Sequence, residues 1–328
     1  MKHEQSSHLG LLSNMTIPDP LEFDFNRTMN PGSEEVGVAL FRLLFPRIAD
    51  TETKLHGEFV AVVDERSSLR LDDRYLGRWR TGSLHVTAIS ASVDALLTVQ
   101  TILEPVLAGQ GALTMSALYP VIRAALESAS LAIYLLEPAS RDERLRRSYL
   151  VAAEDAKYHD TYQESLGNPT SHQRAVVQEE VRALIATRPS LGDPAAFQFT
   201  TVIYSDTVKK AELAITADPA VHTTARMALL AWWKLLSGLS HGKQWAFVEA
   251  MERSEAVVDV ENQSAQIRMT SSVAAVALVT RRAVEALETA LHLYGRRSRV
   301  TWAEIEDANE PPTVSYTALL NENGGRVV

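Results

Sequence analysis

A mainly α-helical fold, a bundle of about six to eight helices with one or two marginal β-hairpins, is what this sequence predicts. Two observations carry that expectation. Apolar residues recur every three or four positions through several long segments, and proline or glycine punctuates the ends of those segments. Strict apolar–polar alternation, the mark of a half-buried strand, is confined to two short stretches.

The elements follow in order. Residues 1–33 are polar, carry Pro18, Pro20, Pro31 and Gly32, and read as a flexible N-terminal arm. Residues 34–80 hold a helix followed by an irregular or hairpin segment. Ser33, Glu34 and Glu35 open the apolar run Val36–Phe45, which Pro46 ends or kinks. GEFVAVV and then SSLRLDD supply the hairpin pattern. Residues 81–300 form the bundle itself. Its first helix sets Val86, Ile89, Val93, Leu96, Leu97 and Val99 on one stripe, with Thr81 or Ser83 as cap.

The next helix runs from Ser116 to Leu136, with Pro120 in its first turn. A charged, partly exposed helix extends from Arg141 to Leu166, and Gly167, Asn168 and Pro169 break it. Ser171–Thr187 repeats the pattern up to Pro189. Phe197–Ile215 reads as helix, with a strand as the alternative because of its β-branched residues. After Asp218-Pro219 comes the long run Val221–Met251. A hairpin about Asn262 precedes the last helix, Val273–Tyr294. Arg296, Arg297 and Arg299 suit that helix's negative end. Residues 301–328 read as a C-terminal tail.

The 328 residues are 46% hydrophobic and include no cysteine, which removes disulfides, thiolate metal sites and a cysteine nucleophile from consideration. A net charge of −9 argues against a dedicated binder of the phosphate backbone. The N-terminus has no signal-peptide core, and no run of about 18 apolar residues stands out as a membrane span. The expected setting is cytoplasmic, with no membrane partner. HExxH, EF-hand, GxSxG and dinucleotide motifs are missing, so no metal and no cofactor is expected. His159-Asp160 is an HD dyad without the further ligands that a metal phosphohydrolase needs. GLSHGKQ echoes a P-loop but lacks its spacer and its preceding strand.

Two constellations are left. Arg123 and Glu127, four apart among apolar residues, share a helix face. They read as an ion pair that fixes the register of the bundle, or as the lining of a ligand cleft. Ser237 and His241 are also four apart, with Lys234 on the same side and Gly238 and Gly242 allowing close approach. His241 reads either as a hydrogen-bonded helix residue or as an acid–base group. The arginine-rich segment Arg141–Arg147 reads as a solvated helix face that pairs within itself.

Arg123 with Glu127, the run RDERLRRS and the late SGLSHG together resemble a group of bacterial all-helical proteins similar to the HEPN superfamily, over roughly Ser83–Tyr294. That resemblance implies a helical bundle related to RNA-cleaving toxins and anti-phage effectors. It also implies dimerisation, since related nucleases build their cleft across a two-fold interface. Active members carry R-x(4–6)-H. Here the late histidine has Lys234 at the distal position, and the one true match is Arg80 with His85. The leading expectation is a HEPN-like protein that acts by binding or self-association, as a homo-oligomer or with a protein partner. Its face would join Arg123, Glu127, Arg147, Lys234, Ser237 and His241. A metal-independent ribonuclease using His241 with Lys234, or His85 with Arg80, is the alternative, and only there is RNA a partner. A structural component of a larger assembly is the third expectation.

Overall fold

The computed structural model describes residues 33–56, 63–79, 81–111, 113–114, 116–168, 172–217, 229–259 and 264–299. The helices are α1 (Ser33–His56), α2 (Ser68–Leu76), α3 (Thr81–Leu107), α4 (Leu118–Leu136), α5 (Arg141–Ser165), α6 (Gln173–Ala186), α7 (Tyr204–Ala217), α8 (Leu229–Ser240), α9 (Gln244–Ala250) and α10 (Val273–Ser298). Short 3₁₀ turns at Pro189–Leu191 and Pro194–Ala196 link α6 to α7.

Helix α4 packs against several other helices. Ile122, Ala125, Leu126, Ala129 and Ile133, three or four residues apart, are fully buried. Around α4 pack α3, α10, α7 and α8, and α1 closes the far side of α10. Ser92 of α3 donates to the Ala125 carbonyl at 2.9 Å, which satisfies a buried hydroxyl at the α3–α4 contact. Phe41, Leu44 and Ile48 of α1 join the same core. Gly37 explains how closely α1 approaches α10: a Cβ there would stand 2.5 Å from the backbone nitrogen of Ala274. Segments 84–107 and 118–136 are long and apolar enough to cross a bilayer, by length and composition. Within the protein they are each other's principal packing partners.

A second, smaller core gathers Leu76, Leu145, Tyr149, Ala153, Val177, Val181, Ile185 and Phe197 from α2, α5, α6 and the turn that follows. It corrects the hairpin expected within residues 34–80. Of that stretch, 57–62 lie outside the described residues, and SSLRLDD is helix α2. Ser67 caps it, accepting from the Arg70 amide. Leu69, Asp72 and Leu76 then face inward at helical spacing, so this polar-looking stretch is an amphipathic helix.

Other boundaries move for equally local reasons. Helix α3 already includes Thr81, so neither Thr81 nor Ser83 precedes it as a cap. Phe197–Ile203 has no regular secondary structure and only Tyr204 onward is helical. The long run after Val221 is divided, with 218–228 outside the described residues. Its remainder is split at Gly242, whose φ of +65° a helix cannot accommodate. Antiparallel strands β1 (Met251–Asp259) and β2 (Ser264–Ser271) follow α9, and Asn262 itself lies outside the described residues. Their register runs from Met251↔Ser271 to Asp259↔Ser264, with a bulge between Ser254 and Ala256. Residues 260–263, residues 1–32 of the expected arm and the expected tail 301–328 lie outside the described residues.

Candidate functional site

Helix α4 carries a polar node near each end, and the site follows from the one nearer its start. Arg123 and Glu127 lie beside the buried stripe of α4, one helical turn apart. The Arg123 Nε donates to Glu127 Oε1 at 2.8 Å, and the side chains are only 21% and 19% exposed. Helix α8 supplies the rest. The Trp233 indole N–H donates to that same Oε1 at 2.6 Å, and the Arg123 guanidinium lies 5.7 Å from the Trp233 ring centroid. His241, just past the last turn of α8, brings its Nε2 within 3.0 Å of Arg123 Nη1. For that contact to be a hydrogen bond the imidazole must be neutral at Nε2, because arginine can only donate. Tyr204, at the start of α7, faces this node. Its phenol is pushed up, first by burial and then by the negative charges of Glu127, Asp155 and Glu154 and by the neighbouring Tyr158.

Local chemistry explains why the node assembles. Gly238 sits where a Cβ would meet Ala246 at 2.6 Å and the Trp245 ring at 2.8 Å, so only glycine lets α9 fold back across α8. The Gly242 turn makes that reversal and leaves His241 exposed at the corner. His241 is therefore a turn residue and not, as expected, a member of one continuous helix. The bond between its backbone and Ser237 is the amide-to-carbonyl contact at 3.1 Å. Ser237 is half-buried, and Lys234 points to solvent. Among the described residues no ion pair or hydrogen bond joins Lys234 to His241, so the cation beside the imidazole is Arg123.

Arg147 belongs elsewhere, and this corrects the six-residue face. It lies at the other end of α4, about three turns away. There it donates to the Tyr134 carbonyl at 2.7 Å and to Glu143 at 2.9 Å, and it stacks on the Tyr134 ring at 4.6 Å. The Arg141–Arg147 segment is also not the solvated face expected of it: Arg141, Arg144 and Arg147 are all buried. Asp72 of α2 is the reason. Its carboxylate accepts from Arg144 Nε at 2.6 Å, Arg144 Nη2 at 3.0 Å and Arg141 Nε at 3.2 Å. Burial pushes the Asp72 carboxyl up while the two guanidinium groups pull it back. Arg144 Nη1 meanwhile donates to the carbonyls of Pro138 and Ala139, both at 2.9 Å. Arg297 reaches the same place, 2.8 Å from the Pro138 carbonyl, with longer bonds to Leu136 and Glu137. It thus serves the carbonyl end of α4 rather than that of its own helix.

The remaining candidates separate cleanly. Arg80 lies outside the described residues, and His85 is buried at 3% exposure. In the HD dyad, His159 is exposed while Asp160 accepts from the amides of Gln173 and Arg174, both at 2.9 Å, and so caps α6. Among the described residues no group of three or more metal-ligating side chains gathers. Sequence reasoning missed Trp233, although it stands one turn before Ser237 and so on the face already under suspicion. It also missed Asp72 and Arg297, whose partners lie far away in the chain and leave no local signal.

No family model, no curated protein and no solved structure matches this chain.

Proposed function

We propose that the protein acts by binding, in the first instance to a second copy of itself, through the face that carries Arg123, Trp233, Ser237, His241 and Lys234. One observation supports this reading above others. The Arg123 guanidinium is fixed by Glu127, Trp233 and His241 at a partly exposed edge. An arginine and tryptophans held in place before a partner arrives lose little entropy on binding, and these residue types dominate interface energetics. Trp245, 52% exposed on α9 beside this edge, extends the face. A HEPN-like bundle is the fold relationship proposed with it, and the cytoplasm its setting.

Sedimentation across a wide concentration range tests the reading. The wild type should self-associate, and His241→Ala or Trp245→Ala should weaken assembly by about tenfold or more, the ordinary loss at a hot spot. A wild type that stays monomeric at every concentration would sink it.

The contact between Arg123 and His241 favours a second reading, a metal-independent ribonuclease. In it Arg123 neutralises the phosphodiester and His241 takes the 2′-hydroxyl proton. Buried His85 is poorly placed for that chemistry. Induced expression of wild type and His241→Ala, followed by total-RNA integrity, tests it. Cleaved RNA with the wild type alone would support a nuclease, and intact RNA with both would dismiss it.

A further inference from the structure

The first half of α5 is built into the protein, and its second half turns an uncharged face to solvent. Tyr158, Tyr162 and Leu166 stand four apart, so they share one side of the helix, and they are 56%, 58% and 57% exposed. Thr161 and Ser165 lie beside them on that side and are exposed as well. Their hydroxyls bond back onto their own helix, to the Lys157 carbonyl at 3.1 Å and the Tyr162 carbonyl at 2.7 Å. The patch can therefore shed water from both hydroxyls without leaving a donor unmet. A scattered exposed apolar residue means little, but tyrosines grouped without a charge have the composition of an interface core.

Pairs of identical chains close about a two-fold axis, and a residue on that axis meets its own copy. The Arg123 face is badly suited to lie there, because Arg123 and Lys234 would each confront a like charge. The α5 patch has no such conflict. Glu154 and Asp155, the charges in line with it, stand about two turns before Tyr162, roughly 10 Å away. An axis at Tyr162 sends the two copies of that acidic pair to opposite ends. Tyr204, 43% exposed, joins the patch to the Arg123 face, since its phenol feels both Glu127 and Tyr158. Area makes the junction necessary. Two tyrosines and a leucine at this exposure offer on the order of 300 Å². A standard interface buries about 800 Å² per partner, so a stable pair needs both surfaces. We propose that the two-fold axis of the self-association passes through Tyr162, so that α5 packs antiparallel on the α5 of a second copy. This rests on self-association through the Arg123 face.

Full-length Tyr162→Glu and Tyr162→Lys test it, in sedimentation beside wild type and Trp245→Ala. Glutamate and lysine both suit a helix, and circular dichroism matching wild type shows that each variant folds. Either variant alone sets like charges face to face and should weaken pairing about tenfold or more. Their equimolar mixture sets glutamate against lysine and should recover a mixed pair, recognised by its mass in native mass spectrometry. If wild type associates, Trp245→Ala weakens it and both Tyr162 variants pair as wild type does, the axis is elsewhere. That result overturns the proposal and leaves the Arg123 face standing. A loss in each variant that mixing does not repair also overturns it, because Tyr162 then meets something other than itself. A wild type that never associates removes the Arg123 reading, and the axis with it.

Discussion

The two ends of α4 solve one electrostatic problem in opposite ways. Near its start, Arg123 and Glu127 pair at a partly exposed edge, with Trp233 and His241 completing the set. At its end, Asp72, Arg141 and Arg144 are sealed in the interior, and Arg144, Arg147 and Arg297 bond carbonyls in the last turn of the helix and just past it. In the first node water can still reach each charge, so losing one partner leaves the other with a substitute. In the second there is none. The difference teaches where the molecule keeps stability and where it can afford an adaptable surface: the buried node joins α2, α4, α5 and α10, while the exposed one joins α4 to α8 and the turn after it.

The sharpest way to break this comparison is Asp72→Ala. It takes the carboxylate from two buried guanidinium groups and should cost about 3–5 kcal/mol in a denaturant melt. Arg123→Ala should cost only about 1 kcal/mol, since Glu127 keeps Trp233 and gains water. Equal costs at the two nodes would erase the distinction. The triple change Asp72→Leu, Arg141→Met, Arg144→Met sharpens it further. Removing all three charges should recover part of the loss, but not all of it, because the Pro138 and Ala139 carbonyls also lose the donor they share.

The same contrast explains what the sequence made legible. Helix α4 was legible in its apolar spacing with Pro120 and Pro138, α10 in its apolar spacing, and α5 in the break at Gly167, Asn168 and Pro169, all local properties of the chain. The Arg123–Glu127 pair was readable because its members are four residues apart. The exposed node was half visible: His241 and Ser237 drew attention, but the true cation is Arg123, which is 118 positions away. The buried node was misread altogether. A run such as RDERLRR looks solvated until Asp72 is placed against it, and a spacing of about 70 residues carries no periodic signal.

Alkaline titration probes the interior by a different route. Burial pushes the Tyr119 phenol up to about 12, against 10.0 for a free phenol. It also pushes the phenol of Tyr149 up, whose hydroxyl donates to the Tyr75 carbonyl. With the folded value above the unfolded one, the unfolded chain releases its proton first. Stability from these groups is complete below pH 10 and is lost as pH rises through the folded values. Tyr119 alone accounts for about 2–3 kcal/mol by pH 12. A phenol titration by ultraviolet absorbance should show the half-buried Tyr204 ionising while the fold holds. Tyr119 and Tyr149 should ionise only with unfolding, and Tyr119→Phe should extend the stable range upward.

The smallest expected effect falls at the exposed node and is the most informative about it. Glu127→Gln keeps an oxygen for the Trp233 indole N–H and removes the negative charge that orients Arg123. Because both side chains are about one-fifth exposed, the loss in stability should be on the order of 0.5–1 kcal/mol. Tryptophan fluorescence should hardly move if Trp233 keeps its acceptor, whereas Glu127→Ala, which removes it, should shift the emission. What should change in both variants is the place of Arg123 relative to His241. If the exposed node is an interface, self-association should therefore weaken in Glu127→Gln well beyond its effect on folding. If the two losses are the same size, the node is no more than a helix-to-turn clasp.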